Sequence, residues 1–270
     1  MIRRIVTVGT LTVLAVLPAA SRAATPPALF HRPIITLGAN QSSNWSGYNQ
    51  GSIERGNKLF NAVAGAWTVP TATPHKPGEA EYSSSWIGIG GGCVDAQCMV
   101  TDTTLIQTGT EQDVDRSGHA SYSAWYELIP APAITISGMT IHAGDKMSAS
   151  IAEKVPNTNV WTIQLKDLTT GQSFSSTVPY ASTHLTAEWI TETPVVIDNN
   201  GNVTIGPMPS LSPVRFSSAS TNSKNAHLRG SEAIQLVDPN TNQVIATPSV
   251  PGGGGTGFND CTYARSCPAP

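Results

Sequence analysis

From Asn44 to about Val250, apolar residues alternate with polar ones more often than they recur at helical spacing. In NVWTIQLKD, Asn159 to Asp167, Trp161, Ile163 and Leu165 fall on one side and Val160, Thr162 and Gln164 on the other, the period of a half-buried strand. Turn signals punctuate these runs: HAGDK at Gly144, LTTGQ at Gly171, IDNNGNV at Gly201 and DPNTNQ at Pro239. No stretch combines caps with an amphipathic pattern of about 12 residues, the length a helix needs to be stable, and the 20 prolines are scattered along the chain. The pattern predicts an all-β domain of antiparallel strands joined by hairpins, closed as a sandwich or barrel.

The alternation does not extend to the ends. Residues 1–23 open with Arg3 and Arg4, continue through an apolar run from Ile5 to Leu17 and end in Ser21-Arg22-Ala23, a small-x-small site. This is the layout of a secretory signal peptide, and the apolar run falls short of the roughly 20 residues of a membrane span. Residues 24–41 are Pro-rich and unpatterned, and read as an arm or a short propeptide. Residues 42–250 form the expected β-domain, and 251–270 a tail that begins with the Gly252 to Gly255 run.

Composition adds three constraints. Cleavage after Ala23 leaves 247 of the 270 residues and removes three of the 15 basic ones; 12 then face 18 acids, a formal charge of −6. Neither that balance nor any basic stretch suits nucleic acid. Charged residues are 12% of the chain against roughly 25% in an average domain, so the surface relies little on ion pairs and suits a protein that must tolerate acid. Cys93, Cys98, Cys261 and Cys267 fit an oxidising compartment and two disulfides; three connectivities are possible, and proximity favours Cys93 with Cys98 and Cys261 with Cys267. A secreted, soluble monomer with no membrane or nucleic-acid partner is the expectation.

For chemistry, the chain has no G-x-S-x-G elbow, no spare thiol and no closely spaced histidine pair, so serine, cysteine and metal catalysis lack their motifs. Carboxylates and carboxamides remain. YSAWYELIP carries Glu127, and TAEWITETP carries Glu188 and Glu192, which share a strand face with Ile190 opposite Trp189 and Thr191. Acids in aromatic, apolar company have raised pKa values that suit acid–base work. TTLIQTGTE places Gln107 where its amide could donate to a developing oxyanion.

In order along the chain stand NWSGY (44–48), GAWTVP (65–70), SSWIGIGG (84–91), LIQTG (105–109), YSAWYELIP (122–130), LTTGQ (168–172) and AEWITE (187–192). Together they resemble the glutamic peptidases, or eqolisins. The resemblance implies a sandwich of two curved antiparallel sheets, concanavalin- or jelly-roll-like, with a concave substrate cleft. It implies hydrolysis of protein or peptide substrates without metal or cofactor. It makes Gln107 and Glu192 the catalytic pair, sets Trp45, Trp86 and Glu127 along the cleft as substrate-binding residues, and leaves Glu188 as a neighbour. Gly90, Ser123 and Ile129 stand where the fungal pattern has Asp, Asp and Tyr, and no Cys precedes AEWITE; these departures suggest a bacterial branch. Two rival readings use the same residues. A β-sandwich glycosidase would pair Glu127 with Glu192, and a binding module of the same fold would have no catalysis.

Overall fold

The computed structural model describes residues 28–197 and 201–270; the expected signal peptide and the first four residues of the arm lie outside them. Thirteen strands carry the architecture. They are β1 (Trp45–Gly51), β2 (Ala62–Thr68), β3 (Ser84–Gly90), β4 (Leu105–Val114), β5 (Ala120–Leu128), β6 (Lys146–Glu153) and β7 (Val160–Asp167). There follow β8 (Ser173–Pro179), β9 (Thr186–Glu192), β10 (Val214–Thr221), β11 (Ala233–Val237), β12 (Val244–Pro248) and β13 (Phe258–Thr262). Among the described residues the only helical turn is Gly230–Glu232. The all-β expectation holds.

One sheet runs β5-β4-β3-β9-β1, each neighbour antiparallel, with β11 on the far edge of β1. The other runs β8-β7-β6-β2-β10-β13-β12-β11. Because β11 belongs to both, the sheets are joined along one side and the strands close on themselves, which removes open edges there.

The core lies between the sheets. Tyr48, Ile87, Ile89, Ile106 and Trp189 from the first meet Val63, Trp67, Met147, Ile151, Trp161, Ile163, Leu165, Phe216 and Phe258 from the second. The β7 burial pattern alternates as its sequence requires, with Trp161, Ile163 and Leu165 buried. In contrast β1, β3 and β9 are buried at every position, because their opposite face is covered too. There Trp45, Trp86, Leu105, Trp125 and Ile190 form a second apolar cluster, and Ile34 from the arm packs on it.

The expected boundary at Val250 is not where the domain ends. The Gly252 to Gly255 run makes a tight turn, with Gly253, Gly254 and Gly255 at positive φ, and returns the chain as β13 between β10 and β12. Phe258 then fills the core against Tyr48 and Phe216 at centroid distances of 4.6 and 4.8 Å. The glycines mark a reversal within the fold, not a linker. Disulfides join Cys93 to Cys98 and Cys261 to Cys267, the pairing that proximity favoured. The arm likewise is built in: Ala28–Phe30 pairs with Val195–Ile197, and Thr36–Gly38 with Gln41–Ser42.

Candidate active site

The strand register assembles the site. Across β9, β3, β4 and β5, three rows of residues share the face turned away from the core. Glu188, Gly88, Gln107 and Glu127 form one row; Ile190, Trp86, Gly109 and Trp125 the next; Glu192, Ser84, Glu111 and Ser123 the third. Two polar rows thus flank an aromatic one. Trp45 joins from β1, opposite Glu192, and meets Trp86 edge-on at 4.9 Å and 77°.

Two glycines let the indole of Trp86 lie flat along the rows. A Cβ on Gly109 would sit 2.5 Å from the Trp86 Cβ, and one on Gly88 would sit 2.9 Å from its Cζ3. At the other end of the ring, Nε1 donates to Glu192 Oε2 at 2.8 Å. The indole therefore reaches from the Glu192 row to the strand position beside Gln107. Glu192 is wholly buried. Burial raises its pKa, while the His31 charge and hydrogen bond and the Arg32 amide work in the opposite direction.

Gln107, also buried, donates from Nε2 to Glu127 Oε2 at 2.7 Å. That bond fixes the amide and leaves its second N–H free of Glu127. Gln107 Oε1 and Glu127 Oε1 have no protein partner. Burial pushes the Glu127 carboxyl up to about 7; the His31 charge opposes the rise and the Glu192 charge adds to it. No hydrogen bond joins Gln107 to Glu192 directly. Glu188, though in the Gln107 row, is turned under Gly92 and Asn49: a Cβ on Gly92 would lie 2.7 Å from its Oε1. Burial, reinforced by the Asp102 charge and opposed by the Thr186 hydroxyl, holds its pKa well above the usual range.

Two residues in the site have no counterpart among the sequence-based candidates. His31 of the arm sits between two acids, Nε2 at 2.7 Å from Glu111 Oε1 and Nδ1 at 3.0 Å from Glu192 Oε2. Its ring stacks on Trp125 at 3.8 Å and 8°. Glu111 was legible, since it lies four residues beyond Gln107 on the same strand face. His31 lies 80 residues away in an unpatterned segment. Among the described residues no cluster of His, Cys, Asp or Glu is placed to hold a metal, and no helix is long and apolar enough to cross a membrane.

Comparison with known proteins decides what this arrangement belongs to. The Peptidase A4 family model matches residues 43–258. The chain belongs to that family, the eqolisins. Scytalidopepsin B of Scytalidium lignicola is 31% identical over 231 residues, which is 83% of this chain and 78% of the relative. Aspergillopepsin-2 of Aspergillus niger is 26% identical over 238 residues, 80% and 77% of the two chains. The solved structure of scytalido-glutamic peptidase with a transition state analog inhibitor superposes with a TM-score of 0.62 at 26% identity, over 82% of this chain and 98% of that one. An eqolisin is a glutamic peptidase, so the chain is a hydrolase of peptide bonds. The glycosidase and binding-module readings fall away with that.

Proposed function

We propose that the protein is an exported endopeptidase working in acid, with Glu192 as general base and Gln107 as oxyanion donor. The observation that carries this reading is the Trp86 bridge: one indole holds Glu192 through Nε1 at 2.8 Å and reaches with its other end to Gly88, the strand partner of Gln107. An ionised Glu192 takes a proton from water as the water oxygen attacks the scissile carbonyl carbon. Negative charge grows on the carbonyl oxygen and is met by the Gln107 N–H that Glu127 does not use. Protonated Glu192 then returns its proton to the leaving nitrogen as the C–N bond breaks. No covalent intermediate forms.

Burial suits Glu192 to both halves of this cycle. A carboxyl whose pKa is raised is a stronger base when ionised and keeps the proton long enough to deliver it. Trp45 and Trp125 supply flat apolar walls, and Glu127 orients the Gln107 amide. Export is supported by the leader-like residues 1–23 and by two disulfides, which persist only where the compartment is oxidising. The test is cleavage of acid-denatured casein at about pH 4, near the Glu reference pKa, by the parent, Glu192→Gln and Gln107→Ala. Both variants should lose at least about 100-fold in rate, the scale of losing a general base or an oxyanion donor. Full activity in either would remove the mechanism.

A further inference from the structure

In a chain where acids outnumber bases, one cavity is lined mainly by cations. It opens between the loop that follows β1, residues 52–61, and the loop that leads into β11, residues 222–232, and has a volume of about 480 Å³. Arg55, Lys58, Lys224, His227 and Arg229 line it, and Glu54 is the one acid among the lining residues. Four of the 12 Lys and Arg residues outside the leader-like segment are thus gathered at one place.

Both loops are fixed in place. Asn222 and Ser223, at positive φ, make a tight turn that sets Lys224 opposite Thr221. Lys58 Nζ donates to Thr221 Oγ1 at 2.6 Å, which draws the two lysines together across the loops. Arg55 is the clasp: Nε donates to Glu232 Oε1 at 2.6 Å and Nη2 to His227 O at 2.8 Å. The glycine run supports the second loop from behind. Leu228 N donates to Gly255 O at 3.0 Å, and a Cβ on Gly255 would lie 2.7 Å from that nitrogen. Arg55 is therefore neutralised by Glu232, whereas among the described residues Lys58, Lys224 and Arg229 form no ion pair. Burial, and then the charges of Arg55 and Lys224, lower the pKa of Lys58 against the pull of Glu232. The cations repel one another across space that holds too little negative charge. Asp95 and Glu232 line a separate, narrower recess that shares only Glu54 with this cavity.

We propose that this cavity binds a tetrahedral oxyanion, a phosphate or sulfate group, with Lys58, Lys224 and Arg229 as its partners and Arg55 as the fixed charge behind them. A guanidinium fork takes two oxygens of such a group and the ammonium groups act as point charges on the others. Acidity selects the class of ligand. A carboxylate gives up its charge near its reference pKa of about 4, in the range proposed for this enzyme, whereas a phosphate ester, whose second ionisation lies near pH 6, keeps one charge there. The cavity changes in the opposite sense. Burial, then Glu232 and Asp95, raise the pKa of Glu54 against Arg55 and Arg229, so its one acid is neutralised early as pH falls and the positive excess grows. The site stands apart from bond cleavage and does not depend on the Gln107 and Glu192 roles. Gly51, where the first loop begins, pairs with Thr186, at the opposite end of β9 from Glu192, about 20 Å away along the strand.

The experiment titrates inorganic phosphate into the full chain carrying Glu192→Gln, at about pH 5 and constant ionic strength, and follows heat. One saturable site with a Kd below about 1 mM is expected. Lys224→Gln with Arg229→Gln should weaken it at least about tenfold, because charge-assisted hydrogen bonds are lost. Both side chains are exposed, so their loss leaves the fold intact; Lys154→Gln with Lys166→Gln, also exposed, removes the same charge elsewhere and should stay within about twofold of the parent. A short peptide with a central phosphoserine, set against its serine counterpart, separates the sources. At least about tenfold tighter binding than phosphate assigns the group to a modified polypeptide, and affinity no better than that of phosphate assigns it to the free anion; the serine peptide should not bind in either case. No saturable uptake of phosphate or phosphopeptide, or equal weakening by the two double substitutions, would overturn the proposal.

Discussion

Replacing Asp260 by Asn should flatten the pH dependence of stability by an amount that can be worked from the structure. Asp260 lies on β13 with 1% exposure, and its Oδ1 accepts from Ser46 Oγ at 2.8 Å. Burial, only partly offset by the Ser46 and Thr191 hydroxyls and the Cys261 amide, pushes its carboxyl from 3.8 up to about 7. Between those two values the folded chain holds a proton at this site that the unfolded chain has released. The free energy of unfolding therefore falls as pH climbs through the window and is level outside it. A rise of about three units at about 1.4 kcal/mol each is a loss of ~4 kcal/mol from this one group. An amide has no such titration, and its fixed cost of fit is common to both ends of the window. Urea unfolding should be measured at about pH 4 and about pH 7 in the Glu192→Gln background, in which the proposed base is replaced so that peptidase activity does not interfere. Because the group is half titrated at both of those pH values, the parent's decline between them should exceed that of Asp260→Asn by ~3 kcal/mol; Glu188 and Asp113, also buried and shifted upward, titrate in both chains and cancel. A difference below about 1 kcal/mol, the net size of one ordinary hydrogen bond, would show that Asp260 is ionised in the folded protein and refute the reasoning.

The same logic reaches the site. Burial pushes the Glu127 carboxyl up to about 7, so at about pH 4 it is neutral and Gln is close to an isostere. Glu127→Gln should cost less than about tenfold in kcat/KM at pH 4, because Gln107 keeps a carbonyl to donate to; a loss beyond about a hundredfold would make Glu127 itself the proton carrier. Trp86→Phe removes the donor to Glu192 while keeping an aromatic floor. A hydrogen bond to a charged group is worth about 1.5–3 kcal/mol, so kcat/KM should fall roughly 10- to 150-fold. The lower limb of its pH profile should move upward as the carboxylate loses stabilisation; an unmoved limb would separate Trp86 from the titration of Glu192.

How much of this was legible in the sequence depends on how far each feature is local. The strand order was readable wherever one face stays wet, as in β7, because the period of two survives. It faded in β1, β3 and β9, whose two faces are buried against different partners, so that Ser, Gly and Trp alternate without an obvious polar side. Gln107, Glu192, Trp45 and Trp86 could be named because each sits in a short motif whose order along the chain is itself specific. The tail misled because a Gly run has the same composition whether it links or reverses; only the placement of Phe258 beside Tyr48 distinguishes them.

His31 was illegible for a different reason. Its meaning is a relation among three distant segments: β9 brings Glu192, β4 brings Glu111, β5 brings the face of Trp125, and none carries a sign that a histidine belongs there. Each of those acids alone would be costly to bury as an anion; the arm's imidazolium compensates both and in doing so occupies one of the two oxygens through which Glu192 would work, while the Arg32 amide takes the other. Two buried acids in a protein with few charges need a counter-charge close by, and here the imidazolium that supplies it comes from a segment outside the two strands that carry the acids.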